Sequence, residues 1–229
     1  TGNLNLPSIT SVGYYGMCAN SNYDGFSTIT FGKNLTTLGN YAFAGNYDIT
    51  KITFEGSAVT SIGSSTFGGT DPETLVFNDG VTEYMVDGVY NEYKGDDSWG
   101  PNLYALKKVI VNGGEIGDNA FSNYSKLTSV TLSEGVTSIG KNAFANCTAL
   151  TKITFPSTVT SLGEGVLQGD TALTTINFKN NLTIIPDNFA SGCTSLATAN
   201  IPNTVTSFGA SAFSGCTSLS ITKIFIPRF

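Results

Sequence analysis

Histidine is absent from the 229 residues. That removes Ser-His-Asp and Cys-His nucleophile activation, imidazole acid–base chemistry near neutral pH and every His-ligated metal site. Charge is scarce too: Asp, Glu, Lys and Arg make up 12% of the chain, about half of the ~25% usual in globular domains. Eleven Lys+Arg against 17 Asp+Glu leave a net charge of −6. The uniform cationic field that draws nucleic acid or an anionic bilayer is therefore missing, and neither nucleic-acid binding nor membrane insertion is expected. No run approaches the ~18–20 apolar residues of a membrane span, and Thr1-Gly-Asn-Leu-Asn5 carries neither the basic nor the apolar part of a signal peptide. The four cysteines contain no C-x-x-C pair, which argues against metal held by sulfur. No metal and no cofactor is expected.

What the chain has instead is self-similarity. Val136-Thr-Ser-Ile139-Gly-Lys-Asn-Ala143-Phe144-Ala-Asn-Cys147-Thr-Ala-Leu150-Thr-Lys-Ile153-Thr-Phe155-Pro156 recurs from Val159, Leu182 and Val205, with starts 23 residues apart. Ile116-Gly117, Ala120-Phe121 and Leu127 keep the same offsets one period earlier. Upstream, Val59-Thr-Ser-Ile62-Gly63 with Phe67, Leu75 and Phe77 is one residue short, and the unit through Leu38-Gly39, Ala42-Phe43 and Ile52 is one residue long. The unit beginning at Val81 is the outlier, with an irregular aromatic and acidic insertion near residues 85–111. The end unit, 217–229, slips against the repeat, since Ile224 follows Leu219 by five residues rather than three.

Leu150-x-x-Ile153-x-Phe155 alternates apolar and polar residues, the pattern of a strand with one buried face, and Pro156 closes it. Val159-Thr-Ser-Leu162-Gly163 suits a second brief extended piece before a glycine-permitted turn. Ala143–Cys147, with apolar side chains three or four apart, fits one helical turn. A single such coil cannot bury its apolar face, but stacked copies place Leu on Leu, Ile on Ile and Phe on Phe over a parallel sheet. The expected fold is thus an α/β solenoid of about nine coils in one domain spanning 1–229.

These residues closely resemble the BspA-like leucine-rich repeat family, whose unit carries V-T-S-I-G, A-F, C-T-S-L and L-T-x-I-x-F-P in fixed register. The resemblance runs from residue 9 to about 226, with Met85 to Val111 departing. It implies a right-handed β/α solenoid with its sheet on the concave face, secreted or displayed on the surface of a bacterium or related microbe. It also implies a non-catalytic role in adhesion to host matrix, glycans or other cells. Thr158 stands where ordinary leucine-rich repeats have an asparagine, so the usual asparagine ladder is expected to be missing.

Candidate binding residues fall in two places. The strand face would expose Lys51, Lys152, Thr154 and Asn177 among many threonines, a flat polar surface suited to a surface protein or glycan partner; threonine is equally a favourable solvent-facing strand residue. The insertion supplies Tyr90, Tyr93, Asp96, Asp97, Trp99 and Tyr104, either as an aromatic recognition loop or as a plug over a broken coil. Glu92, Asp96 and Asp97 lack the spacing of an EF-hand loop. Cys147, Cys193 and Cys216 share one position in their coils, with Asp170 taking it in the coil between. Stacked side chains project in parallel, so free thiols rather than a Cys193–Cys216 disulfide are expected. Glu115, Glu134 and Glu164 lie in separate coils with no paired acid. The alternative to a binding module is a passive spacer that holds another domain away from the cell.

Overall fold

The computed structural model describes residues 2–17, 25–63, 66–70, 72–81, 106–179 and 182–220. In Lys152–Phe155 the alternation acts as expected: Ile153 and Phe155 are buried, while Lys152 is exposed and Thr154 partly so. Eight further long strands repeat this arrangement: Gly2–Leu6, Phe26–Phe31, Lys51–Phe54, Thr74–Phe77, Lys108–Val111, Ser129–Leu132, Thr175–Phe178 and Thr198–Asn200. The strands from Gly2–Leu6 to Ser129–Leu132 form one six-stranded parallel sheet in chain order, and the last three form a second sheet that packs against it. Ile153 pairs with Ile176 and Phe155 with Phe178, and all four pack into one continuous apolar core. Phenyl rings stack along that core, Phe54 on Phe77 at 5.5 Å and Phe155 on Phe178 at 5.2 Å between centroids.

A second column consists of short strands, among them Thr37–Leu38, Ser61–Ile62, Val136–Ile139, Ser161–Leu162 and Ser207–Phe208, again all parallel. The molecule is a parallel-stranded β-solenoid of about seven turns.

The helical turn expected over Ala143–Cys147 is not there, and no helix occurs among the described residues. An α-helix turns each amide back on the carbonyl four residues earlier. Here alternate amides are taken by the next coil: Asn142, Phe144 and Asn146 donate to the carbonyls of Glu164, Val166 and Gln168 at 2.9, 3.0 and 2.8 Å. Ala145 and Cys147 close tight local turns on Asn142 and Phe144. The chain reaches this shape through two left-handed residues four apart, Asn142 (φ 53°) and Asn146 (φ 60°). Asn119/Asn123, Gly165/Gly169, Asn188/Gly192 and Ser211/Gly215 repeat the pair. The third side of every coil is therefore a ladder between coils as well.

The glycine that ends V-T-S-I-G is required by close approach, not by a special turn. A Cβ on Gly163 would lie 2.4 Å from the Lys141 nitrogen, because the backbones of neighbouring coils touch at this corner. The irregular stretch is also shorter than the sequence pattern suggests. Lys108–Val111 is a regular strand paired with Thr74–Phe77, and Leu106 is buried in the core. The pattern missed it because the insertion before it breaks the 23-residue spacing.

Candidate functional site

The sheet face is built from the outward residues of the long strands. Register places Thr28, Lys51, Thr74 and Lys108 in one row, then Ser129 beside Lys108. Lys152, Thr175 and Thr198 form the corresponding row of the second sheet, Lys152 standing one 23-residue period after Ser129. Lys51, Lys108 and Lys152 are exposed, and none has an acid within ion-pair distance among the described residues. The adjoining row runs Thr53, Val76, Ile110 and Thr131, with Thr53 and Val76 buried, and carries Thr154, Asn177 and Asn200 in the second sheet. Asn200 donates its amide to the Asn177 carbonyl oxygen at 2.6 Å, and Asn177 in turn reaches the Thr154 hydroxyl at 3.4 Å. Of the sequence-predicted residues, Lys51, Lys152, Thr154 and Asn177 thus share one face, and Lys108 joins them. Tyr90, Tyr93, Asp96, Asp97, Trp99 and Tyr104 lie outside the described residues, as do Cys18 and residues 221–229.

Many threonines have a structural task. Before three of the long strands a threonine donates its hydroxyl to the carbonyl one coil earlier: Thr50 to Ser27, Thr128 to Lys107 and Thr174 to Thr151, at 2.9–3.2 Å. Beside the short strands, Thr60 and Thr206 do the same to Thr36 and Thr183. At the position where an asparagine was expected to be missing, the Thr158 hydroxyl donates to the Val136 carbonyl at 2.7 Å, and Thr204 does so to Leu182. A short polar ladder does occur just past the strands, where Asn112 donates to Asn78 and Asn78 to Glu55. Of the charges near the face, Lys107 pairs with Glu73.

The cysteine column holds free thiols, with Cys147 and Cys193 buried and Cys216 only half-buried. Each thiol donates to a carbonyl of the preceding coil at 3.1 Å, Cys147 to Phe121, Cys193 to Leu167 and Cys216 to Ala190. Asp170 replaces a thiol in this column and is fully buried. Its Oδ1 accepts the Cys147 amide at 2.8 Å, whereas Oδ2 has no hydrogen-bond partner. Burial pushes its carboxyl well above the usual carboxylate range. Desolvation, followed by the charge of Asp170, pushes the thiols of Cys147 and Cys193 upward as well, which disfavours the reactive thiolate.

Two of the acids considered for catalysis, Glu134 and Glu164, are engaged with a neighbouring coil. Glu134 accepts the Ser157 amide and hydroxyl, and these bonds hold its carboxyl below the usual range. Glu164 bonds Lys141 at 2.8 Å and Asn188 at 3.2 Å, with the same effect. Among the described residues, no group of three or more Cys, Asp or Glu could hold a metal ion, and no helix is long and apolar enough to cross a membrane.

Sequence reasoning missed the paired left-handed residues, although asparagine and glycine recurring four apart every 23 residues carry that signal. It also missed a tyrosine cluster of exposed Tyr14 and Tyr15 with half-buried Tyr41, in which the rings of Tyr15 and Tyr41 stack at 5.1 Å. Both have positive φ, 51° and 55°, at the position that later coils fill with asparagine, glycine or serine.

The model of the BspA type leucine rich repeat region matches residues 2–91 and 112–228, with six copies. The chain belongs to this family. No curated protein sequence matches it. Among solved structures, a leucine rich repeat protein of T. pallidum is 18% identical, with 96% of this chain and 79% of that one covered at a TM-score of 0.49. A leucine rich cell surface protein of Faecalibacterium prausnitzii is 19% identical, with 96% and 80% covered at a TM-score of 0.39. The pneumococcal vaccine antigen PcpA is 16% identical, with 100% and 89% covered at a TM-score of 0.43.

Proposed function

We propose that the chain is a non-catalytic binding module, secreted or held at a cell surface, that works in adhesion to host matrix, glycans or other cells through its strand face. The whole chain reads as one right-handed solenoid domain of about nine coils, with that face on the concave side. The observation that carries the reading is the face itself. Lys51, Lys108 and Lys152 point outward without an acid partner among the described residues, beside Thr154 and a linked pair of asparagines. The sheet does not need lysine there, since threonine and serine fill the same row in neighbouring strands. Family membership supports a surface protein-binding role. Tyr90, Tyr93, Asp96, Asp97, Trp99 and Tyr104 are proposed as a second contact element.

Arrays of immobilised matrix proteins and glycans test the proposal. The purified chain is expected to bind at least one of them, with binding lost in Thr154→Arg/Asn177→Arg while the far-UV circular dichroism stays that of the parent. Loss in Trp99→Ala under the same control assigns the insertion to the contact. Binding to nothing on the array contradicts a binding module and leaves a passive spacer.

A further inference from the structure

The outward row of the sheet alternates: Thr28, Lys51, Thr74, Lys108, Ser129, Lys152, Thr175. A lysine therefore recurs at every second strand, at a spacing of ~10 Å, twice the ~4.8 Å between neighbouring strands, with a hydroxyl between. Alternation itself avoids like charges side by side. What alternation does not explain is that no acid pairs with these three lysines among the described residues. Counting the strands and the residue before each, the face carries Lys51, Lys107, Lys108 and Lys152 against Glu73 alone, a formal charge of +4 − 1 = +3. The whole chain is −6, so everything else sums to −6 − 3 = −9. Four of the chain's eleven cations lie in these strands or directly before them, against one of its 17 acids.

We infer that this face binds an extended anionic polysaccharide lying along the solenoid axis, across the strands, with one acidic group per disaccharide meeting Lys51, Lys108 and Lys152 in turn. The inference rests on the proposed binding role of the face and names its ligand class. Spacing decides the class. An extended polypeptide presents same-side side chains about every 7 Å, out of step with the lysines, and nucleic-acid phosphates follow at roughly 3.4 Å per strand of duplex. Two linked pyranose rings span the gap between lysines, and their hydroxyls meet Thr74, Ser129 and the amides of Asn177 and Asn200. The rest of the molecule repels a polyanion, which confines it to this row.

Hyaluronan and chondroitin sulfate are the probes, measured at low salt against neutral dextran and poly-glutamate on the full chain. Lys51→Gln/Lys108→Gln/Lys152→Gln is compared with Lys33→Gln/Lys126→Gln/Lys179→Gln, which changes net charge equally but lies off the row. Both variants are checked for parental circular dichroism. The parent is expected to bind at least one polysaccharide; the row variant weakens this by about tenfold or more and flattens its salt dependence, and the control weakens it less than about twofold. Equal losses in the two variants, or poly-glutamate binding as tightly as the polysaccharide, overturns the inference. If neither polysaccharide binds while a protein on the matrix array still does, the inference falls and the binding module stands. If nothing binds in either assay, both fall.

Discussion

Among the described residues, Asp170 is the one whose buried side chain leaves a polar atom without a partner. It sits between Cys147 and Cys193 in a buried column, and its Oδ2 has no hydrogen-bond partner. With the folded carboxyl raised above the unfolded one, the group is neutral in both states at low pH. As pH climbs past the unfolded aspartate's range, ionisation favours the unfolded chain, so stability falls from about pH 4 upward until the folded group ionises too. Asp170→Asn keeps the acceptor for the Cys147 amide and removes the charge. It is expected to stabilise the protein by about 2 kcal/mol at pH 7 and by much less at pH 4, as read from urea midpoints. An equal gain at both pH values would contradict the buried carboxyl. At the left-handed positions, Asn142→Ala is expected to cost about 1–2 kcal/mol, and Asn142→Gly less, measured in the same way. These two residues also show where sequence reading stopped short. The spacing of Ala143, Phe144 and Cys147 looks helical, but the asparagines bracketing them set a conformation that no helix contains.

At the scale of the element, each coil is a closed polygon whose sides all bond to the next coil. The long strands do so in register, the short strands do so over two to four residues, and the turn run does so through every second amide. This explains why the strands were legible and the turn was not. Period-2 alternation in Lys152–Phe155 reports burial directly, whereas the partners of Asn142, Phe144 and Asn146 lie about 22 residues away and leave no local signature. It also explains why Lys108 escaped notice. Its strand follows an insertion, so the fixed spacing that identified Lys51 and Lys152 was broken just before it. The corner glycines are the tightest constraint of the element. Gly163→Ala drives a Cβ to 2.4 Å from backbone and is expected to cost about 2–4 kcal/mol, as measured by chemical denaturation. A loss under about 0.5 kcal/mol would show that the coils are not in backbone contact there.

The whole molecule behaves as a stack in which each coil is stabilised by its neighbours. Deleting residues 142–164, one full period of 23, is therefore expected to leave a folded solenoid one coil shorter. Deleting residues 142–153, about half a period, cuts into the long strand Lys152–Phe155 and leaves an incomplete coil, and is expected to unfold the C-terminal half, as judged by circular dichroism and hydrodynamic radius. The same stacking puts function on one face. Thr154, Asn177 and the three lysines converge only because residues one period apart sit in adjacent strands. The most direct measurement is a set of interstrand nuclear Overhauser effects from labelled protein between Lys152–Phe155 and Thr175–Phe178. The account predicts parallel backbone contacts of Thr154 with its neighbour Asn177, methyl contacts between Ile153 and Ile176, and ring contacts between Phe155 and Phe178. Antiparallel contacts, or a register shifted by one residue so that Ile153 meets Thr175 or Asn177, would contradict it.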